Sequence, residues 1–102
     1  MTPIPADRLA VFDQILNDHQ GVNSASQRQR FKAALTILGS VLTFELSRFL
    51  DIYYPPARKH ELVHDEGWDI VLTWERFKTE SGEIHLIGRY TLKGLPNKEG
   101  NK

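Results

Sequence analysis

The stretch Tyr54-Pro55-Pro56-Ala57-Arg58-Lys59-His60-Glu61-Leu62-Val63-His64-Asp65-Glu66-Gly67 decides how this chain is read. It opens on two prolines and closes on a glycine. Proline is tolerated in the first helical turn, where N–H groups have no intrahelical partner, and glycine is favoured just past the last. The spacing predicts a helix of about three turns, fixed sharply at both ends. Directly after Gly67 the period changes from helical to two. Ile70, Leu72 and Trp74 alternate with Val71, Thr73 and Glu75, and β-branched or aromatic residues dominate. A second such run, Ile84, Leu86, Tyr90 and Leu92 against His85, Ile87 and Arg89, follows the polar stretch Thr79-Glu80-Ser81-Gly82-Glu83. Two alternating runs joined by a glycine-containing loop predict an antiparallel hairpin.

Upstream of Tyr54 the apolar spacing is helical. Phe44, Leu46, Phe49 and Leu50 predict a short helix with Thr43 as its cap, and Asp51-Ile52-Tyr53 leaves room only for a tight turn. A longer helix is expected over about Ser26–Leu38, with Phe31, Ala34, Leu35 and Leu38 on one stripe. Arg28, Arg30 and Lys32 are placed on its other face, and Gly39-Ser40 ends it. An N-terminal helix begins near Asp7 and carries Leu9, Phe12, Ile15 and Leu16 at helical spacing. The end of the chain, from Lys93, is rich in Gly, Pro, Asn and Lys and is expected to be a flexible tail.

Composition narrows the class. At 102 residues the chain fits one domain, and 40% hydrophobic with 10% aromatic residues is enough to build a core. The absence of cysteine excludes a disulfide framework, a thiolate zinc site and a cysteine nucleophile. No window approaches the roughly 18 apolar residues of a membrane span, and the first residues lack the pattern of a signal peptide. A protein of the bacterial cytoplasm or nucleoid is the expectation. Formal net charge is zero, but its distribution is uneven. Residues 24–64 hold Arg28, Arg30, Lys32, Arg48, Arg58 and Lys59 against Glu45, Asp51 and Glu61, the only sizeable basic segment.

The succession of helix, short helix, three- or four-residue turn, glycine-stopped helix and hairpin has the order of a winged helix-turn-helix. Particular residues resemble one family. Phe44-Glu45-Leu46 lies in the short helix and Pro56-Ala57-Arg58-Lys59-His60-Glu61-Leu62 in the next. Gly67-Trp68-Asp69-Ile70, Trp74 and the closing Ile87-Gly88-Arg89-Tyr90-Thr91-Leu92 follow. Over about residues 26–92 the chain resembles the small winged helix-turn-helix DNA-binding proteins of bacteriophages, prophages and bacterial mobile elements. The resemblance implies an α+β fold, a helical core with a C-terminal antiparallel β-hairpin wing, here with an extra N-terminal helix. Lys59 departs from the pattern, which usually has an apolar residue there, so its stem is expected to pack while its ammonium reaches solvent.

The expected organisation is an N-terminal helix over 1–25, a winged domain over 26–92 and a tail over 93–102. The second helix of a helix-turn-helix enters the major groove. Pro56, Lys59, His60 and Val63 share one face of that helix and are the candidate groove residues. Arg58 is expected instead to pair with Glu61. Arg28, Arg30, Lys32 and Thr43 are candidates for backbone phosphates, and Arg76 and Lys78 flank the wing tip, where Glu80 and Glu83 oppose them. For each the competing reading is an ordinary solvated charge. His60 and His64 have a metal-compatible spacing without a third ligand, and no metal or other cofactor is expected. Trp68, Trp74, Tyr53, Tyr54 and Tyr90 are expected to close the core rather than stack on bases. No nucleophile elbow or phosphate-cradling glycine loop is present, so an enzyme is not expected.

The function expected is sequence-specific binding of double-stranded DNA by a phage or mobile-element transcriptional regulator or architectural factor. A protein-interaction module on the same scaffold is the alternative. A homodimer would double the site, with Leu9, Phe12, Ile15 and Leu16 either as its interface or as part of the monomer core.

Overall fold

A computed structural model describes residues 6–96. Its elements run α1 (Ala6–Asp18), α2 (Ser24–Leu38), β1 (Ser40–Leu42), α3 (Thr43–Phe49), α4 (Pro55–His64), β2 (Asp69–Lys78) and β3 (Ile84–Gly94). The strands form one antiparallel sheet in the order β1-β3-β2. The α+β architecture with a C-terminal hairpin is therefore present, with a third strand that local patterning did not indicate. Three residues are too few to show a period of two. β1 exists because Ser40, Val41 and Leu42 pair with Thr91, Tyr90 and Arg89.

Local chemistry sets the helix ends. α2 begins at Ser24, two residues before the expected start, and Asn23 caps it, its side chain accepting from the Ser26 N–H at 2.8 Å. Thr43 is the first residue of α3 rather than its cap. Leu42 stands at the cap position, where its N–H donates to the Glu45 carboxylate at 2.8 Å. The α3–α4 turn and the exit from α4 are closed by one device. Asp51 (φ 54°) and Gly67 (φ 80°) take the left-handed conformation, and the next N–H reaches six residues back, Ile52 to Leu46 and Trp68 to Leu62. Glycine adopts that conformation without strain, and aspartate is among the few others that tolerate it. Each reversal turns an apolar residue, Ile52 or Trp68, inward against the core.

The core joins every layer. Phe12 and Ile15 of α1 meet Phe31, Ala34 and Leu35 of α2, Leu46 and Leu50 of α3, Leu62 of α4, and Val41, Ile70 and Tyr90 of the sheet. Phe12 stacks on Phe49 with ring centroids 5.5 Å apart, and Tyr90 meets Phe31 edge-on at 5.3 Å. This decides the role of α1. Phe12 and Ile15 are 1% and 2% exposed, and Leu9 packs beside them, so these residues fill the monomer core instead of forming a dimer face. Only Leu16 of the four points outward. A half-buried ion pair fastens the same helix, Arg8 donating to both Glu45 oxygens at 2.8 and 2.9 Å and to the Ser40 carbonyl at 2.9 Å.

At the C-terminal end, Lys93 and Gly94 complete β3, so the expected tail does not begin at 93; residues 97–102 lie outside the described residues, as do 1–5. Among the described residues no helix is long and apolar enough to cross a membrane.

Candidate nucleic-acid interface

Half of the cations in the basic segment are paired with carboxylates by the fold. Arg28 pairs with Glu61 at 3.1 Å and Glu66 at 3.3 Å, Lys32 pairs with Glu66 at 2.9 Å, and Arg58 pairs with Glu61 at 2.8 Å as its i,i+3 spacing suggests. These half-buried pairs bind α2 to α4 and to the turn beyond it, and Lys32 also lies over the Trp68 ring at 5.9 Å. Glu61 shows the balance of forces. Burial pushes its carboxyl up, but hydrogen bonds and charge from Arg28 and Arg58 together outweigh that and hold it below the ordinary range. The network fixes the orientation of α4 on the helical core.

Arg30 overturns its expectation. It is 1% exposed, and its guanidinium donates to the carbonyls of Leu50 (2.6 Å), His19 (2.7 Å), Gly21 (2.9 Å) and Asp51 (3.3 Å). It clamps the α1–α2 loop to the α3–α4 turn and cannot reach a phosphate. Burial lowers its affinity for the proton, and the nearby Asp51 charge partly restores it. A planar group with five donors suits four convergent carbonyls as no lysine would.

The remaining candidates divide by exposure. On α4, Pro56 and His60 are exposed and Lys59 is half-buried, while Val63 packs against the core and offers a groove little. His60 and His64 lie with ring centroids 4.2 Å apart on the outer side of the helix. Among the described residues no group of three or more His, Cys, Asp and Glu side chains could hold a metal ion. Thr43 is half-buried against the base of the hairpin, its methyl 3.0 Å from where a Cβ on Gly88 would stand. Arg76 and Lys78 are exposed on the hairpin. With Arg8, Arg28, Lys32 and Arg58 paired, Arg89 held by Glu75 and Arg30 closed among carbonyls, the cations with neither kind of partner among the described residues are Arg48, Lys59, Arg76, Lys78 and Lys93. Arg48, exposed on α3 beside the Phe49 ring, was not singled out by sequence because it belongs to no motif.

The aromatics also divide. Trp68 and Tyr90 close the core as expected, but Tyr53, Tyr54 and Trp74 are exposed, so the core reading fails for them. Tyr53 and Tyr54 stand at the entrance to α4, and Trp74 lies on the hairpin beyond the helices.

A family model described as a winged helix-turn-helix domain matches residues 26–94, from the first turn of α2 to the end of β3. No curated protein and no solved structure matches the chain.

Proposed function

Because the chain belongs to the winged helix-turn-helix domain family, a DNA-binding fold, we propose that it binds double-stranded DNA through the outer face of α4 and the hairpin. One observation carries this reading. Lys59 beside Pro56 and His60 on α4, and Arg76 and Lys78 on the hairpin, keep their charge free where Arg28, Lys32 and Arg58 of the basic segment are ion-paired and Arg30 is closed among carbonyls. In this reading α4 lies in the major groove with His60 and Lys59 toward base edges, and Arg76 and Lys78 meet phosphates alongside. Arg28 and Lys32 serve instead to orient α4 from behind.

The protein acts by binding, not by catalysis. Its resemblance to small phage and mobile-element proteins supports a role as a transcriptional regulator or architectural factor. If two copies share one site, they meet through a surface other than the buried side of α1.

The test is fluorescence anisotropy of a labelled duplex at several salt concentrations. Binding should weaken as salt rises, because neutralised phosphates release counterions. Lys59→Ala, Arg76→Ala and Lys78→Ala should each lower the salt slope by about one ion. Absence of salt-dependent binding at low ionic strength would end the proposal in favour of a protein-interaction module.

A further inference from the structure

The contacts that fix α4 leave one pair of its side chains unused. The stretch His60-Glu61-Leu62-Val63-His64 has the order in which one helical face presents two imidazoles, four residues apart, to zinc. Residues at that spacing are neighbours on a helix. Here both rings are exposed on the outer side of α4, with centroids 4.2 Å apart and planes tilted by 36°. Neither enters the ion pairs that bind α4 to α2, which use Arg28, Arg58 and Glu61. Leu62, between them in sequence, is fully buried, so the backbone that carries both rings is anchored while the rings remain free to turn. A tetrahedral zinc bound at about 2.0–2.1 Å needs its two nitrogens about 3.3 Å apart. Rings already this close reach that separation by rotation about their own side-chain bonds.

We propose that His60 and His64 form a binding site for Zn2+, each imidazole giving one nitrogen and solvent filling the remaining positions. The donor set chooses the ion. Imidazole suits Zn2+, Ni2+ and Cu2+, whereas Mg2+ and Ca2+ take oxygen ligands. Glu61 limits what the site does. In the helical pattern that glutamate is the general base for the metal-bound water. In this chain its oxygens pair with Arg28 at 3.1 Å and Arg58 at 2.8 Å, which turns it toward α2 and takes it out of that role. No third protein ligand joins the pair among the described residues. The ion therefore keeps positions for an exchangeable water or anionic oxygen, and the site serves binding and not hydrolysis. It lies on the same helix as Pro56 and Lys59 but does not rest on the DNA reading. Only the folded helix holds both imidazoles at this distance, so the ion binds the native chain in preference to the unfolded one.

The tag-free full-length protein is titrated with zinc chloride and followed by proton–nitrogen correlation spectra of its 4 histidine rings. The expected result is a saturable shift of His60 and His64, one ion per chain and an unchanged mass, while His19 and His85 do not move. Magnesium chloride at the same concentrations should shift none of them. Saturating zinc should raise the melting temperature of the parent but not of His60→Ala/His64→Ala. Alanine at exposed helical positions preserves the fold, which circular dichroism checks. His85→Ala, at an exposed position of β3, should bind zinc as the parent does. Equal shifts at every histidine, or zinc binding that survives in the double variant, overturns the site as adventitious. One ion for two chains, with a mass that doubles on adding zinc, overturns the open site in favour of imidazoles shared between copies. Absence of a saturable shift overturns it outright and leaves the DNA reading untouched.

Discussion

Replacing Arg30 by methionine keeps an apolar stem and removes the guanidinium that joins the α1–α2 loop to the α3–α4 turn. The bond to Leu50 is buried, and its carbonyl, left without a partner, should cost about 1–3 kcal/mol. The bonds to His19, Gly21 and Asp51 are half-buried, so water replaces part of each, and about 0.5–1 kcal/mol apiece is a fair estimate. Together the loss comes to about 2.5–6 kcal/mol, a large share of the about 5–15 kcal/mol that stabilises a domain of this size. Urea unfolding followed by circular dichroism should show a midpoint lower by at least about 1 M. Arg30→Lys should fall between parent and methionine variant, because an ammonium can serve only part of the four-carbonyl ring. If Arg30→Met unfolds within about 1 kcal/mol of the parent while duplex affinity drops, Arg30 is a phosphate ligand and its assignment as a clamp is wrong.

The other expectations concern the same scaffold. Phe12→Glu should destabilise by at least about 3–5 kcal/mol and yield unfolded chain rather than folded monomer, whereas Leu16→Glu should leave the urea midpoint nearly unchanged; a folded, soluble Phe12→Glu would put α1 back at an interface. Arg8→Ala should cost about 2–3 kcal/mol, discounted because Arg8 is partly exposed, since it strands the buried Glu45 carboxylate; the double variant Arg8→Met/Glu45→Met, in a double-mutant cycle, should recover much of that loss. Glu61 gives a pH dependence. Its carboxyl titrates lower folded than unfolded, so the stability it contributes is present above the unfolded value of about 4.3 and is lost as pH falls through the folded one. Urea midpoints measured from neutral to acid pH should fall more steeply for the parent than for Glu61→Gln, and parallel curves would remove Glu61 from the α2–α4 linkage.

Local signals carried the elements far. Pro55 and Pro56 with Gly67 bound α4, and the change of period after Gly67 marks the hairpin, because caps and alternation express energies decided within a few residues. The order of these elements is enough to draw the helix-turn-helix and its wing. The role of each charge is not local. Arg30 reads as a surface cation until four carbonyls from two distant turns converge on it, and Arg28 and Lys32 read as phosphate ligands until Glu61 and Glu66 fold against them. Phe12 and Ile15 fit a dimer face or a core equally well by spacing, and only the packing of α1 on α2 and α3 chose the core. Trp74 shows the converse: its alternation is that of a core strand, but the helices end before they reach it. A period records which side a residue faces, whereas what lies on that side depends on segments far away in the chain, and only the assembled tertiary structure brings those into place.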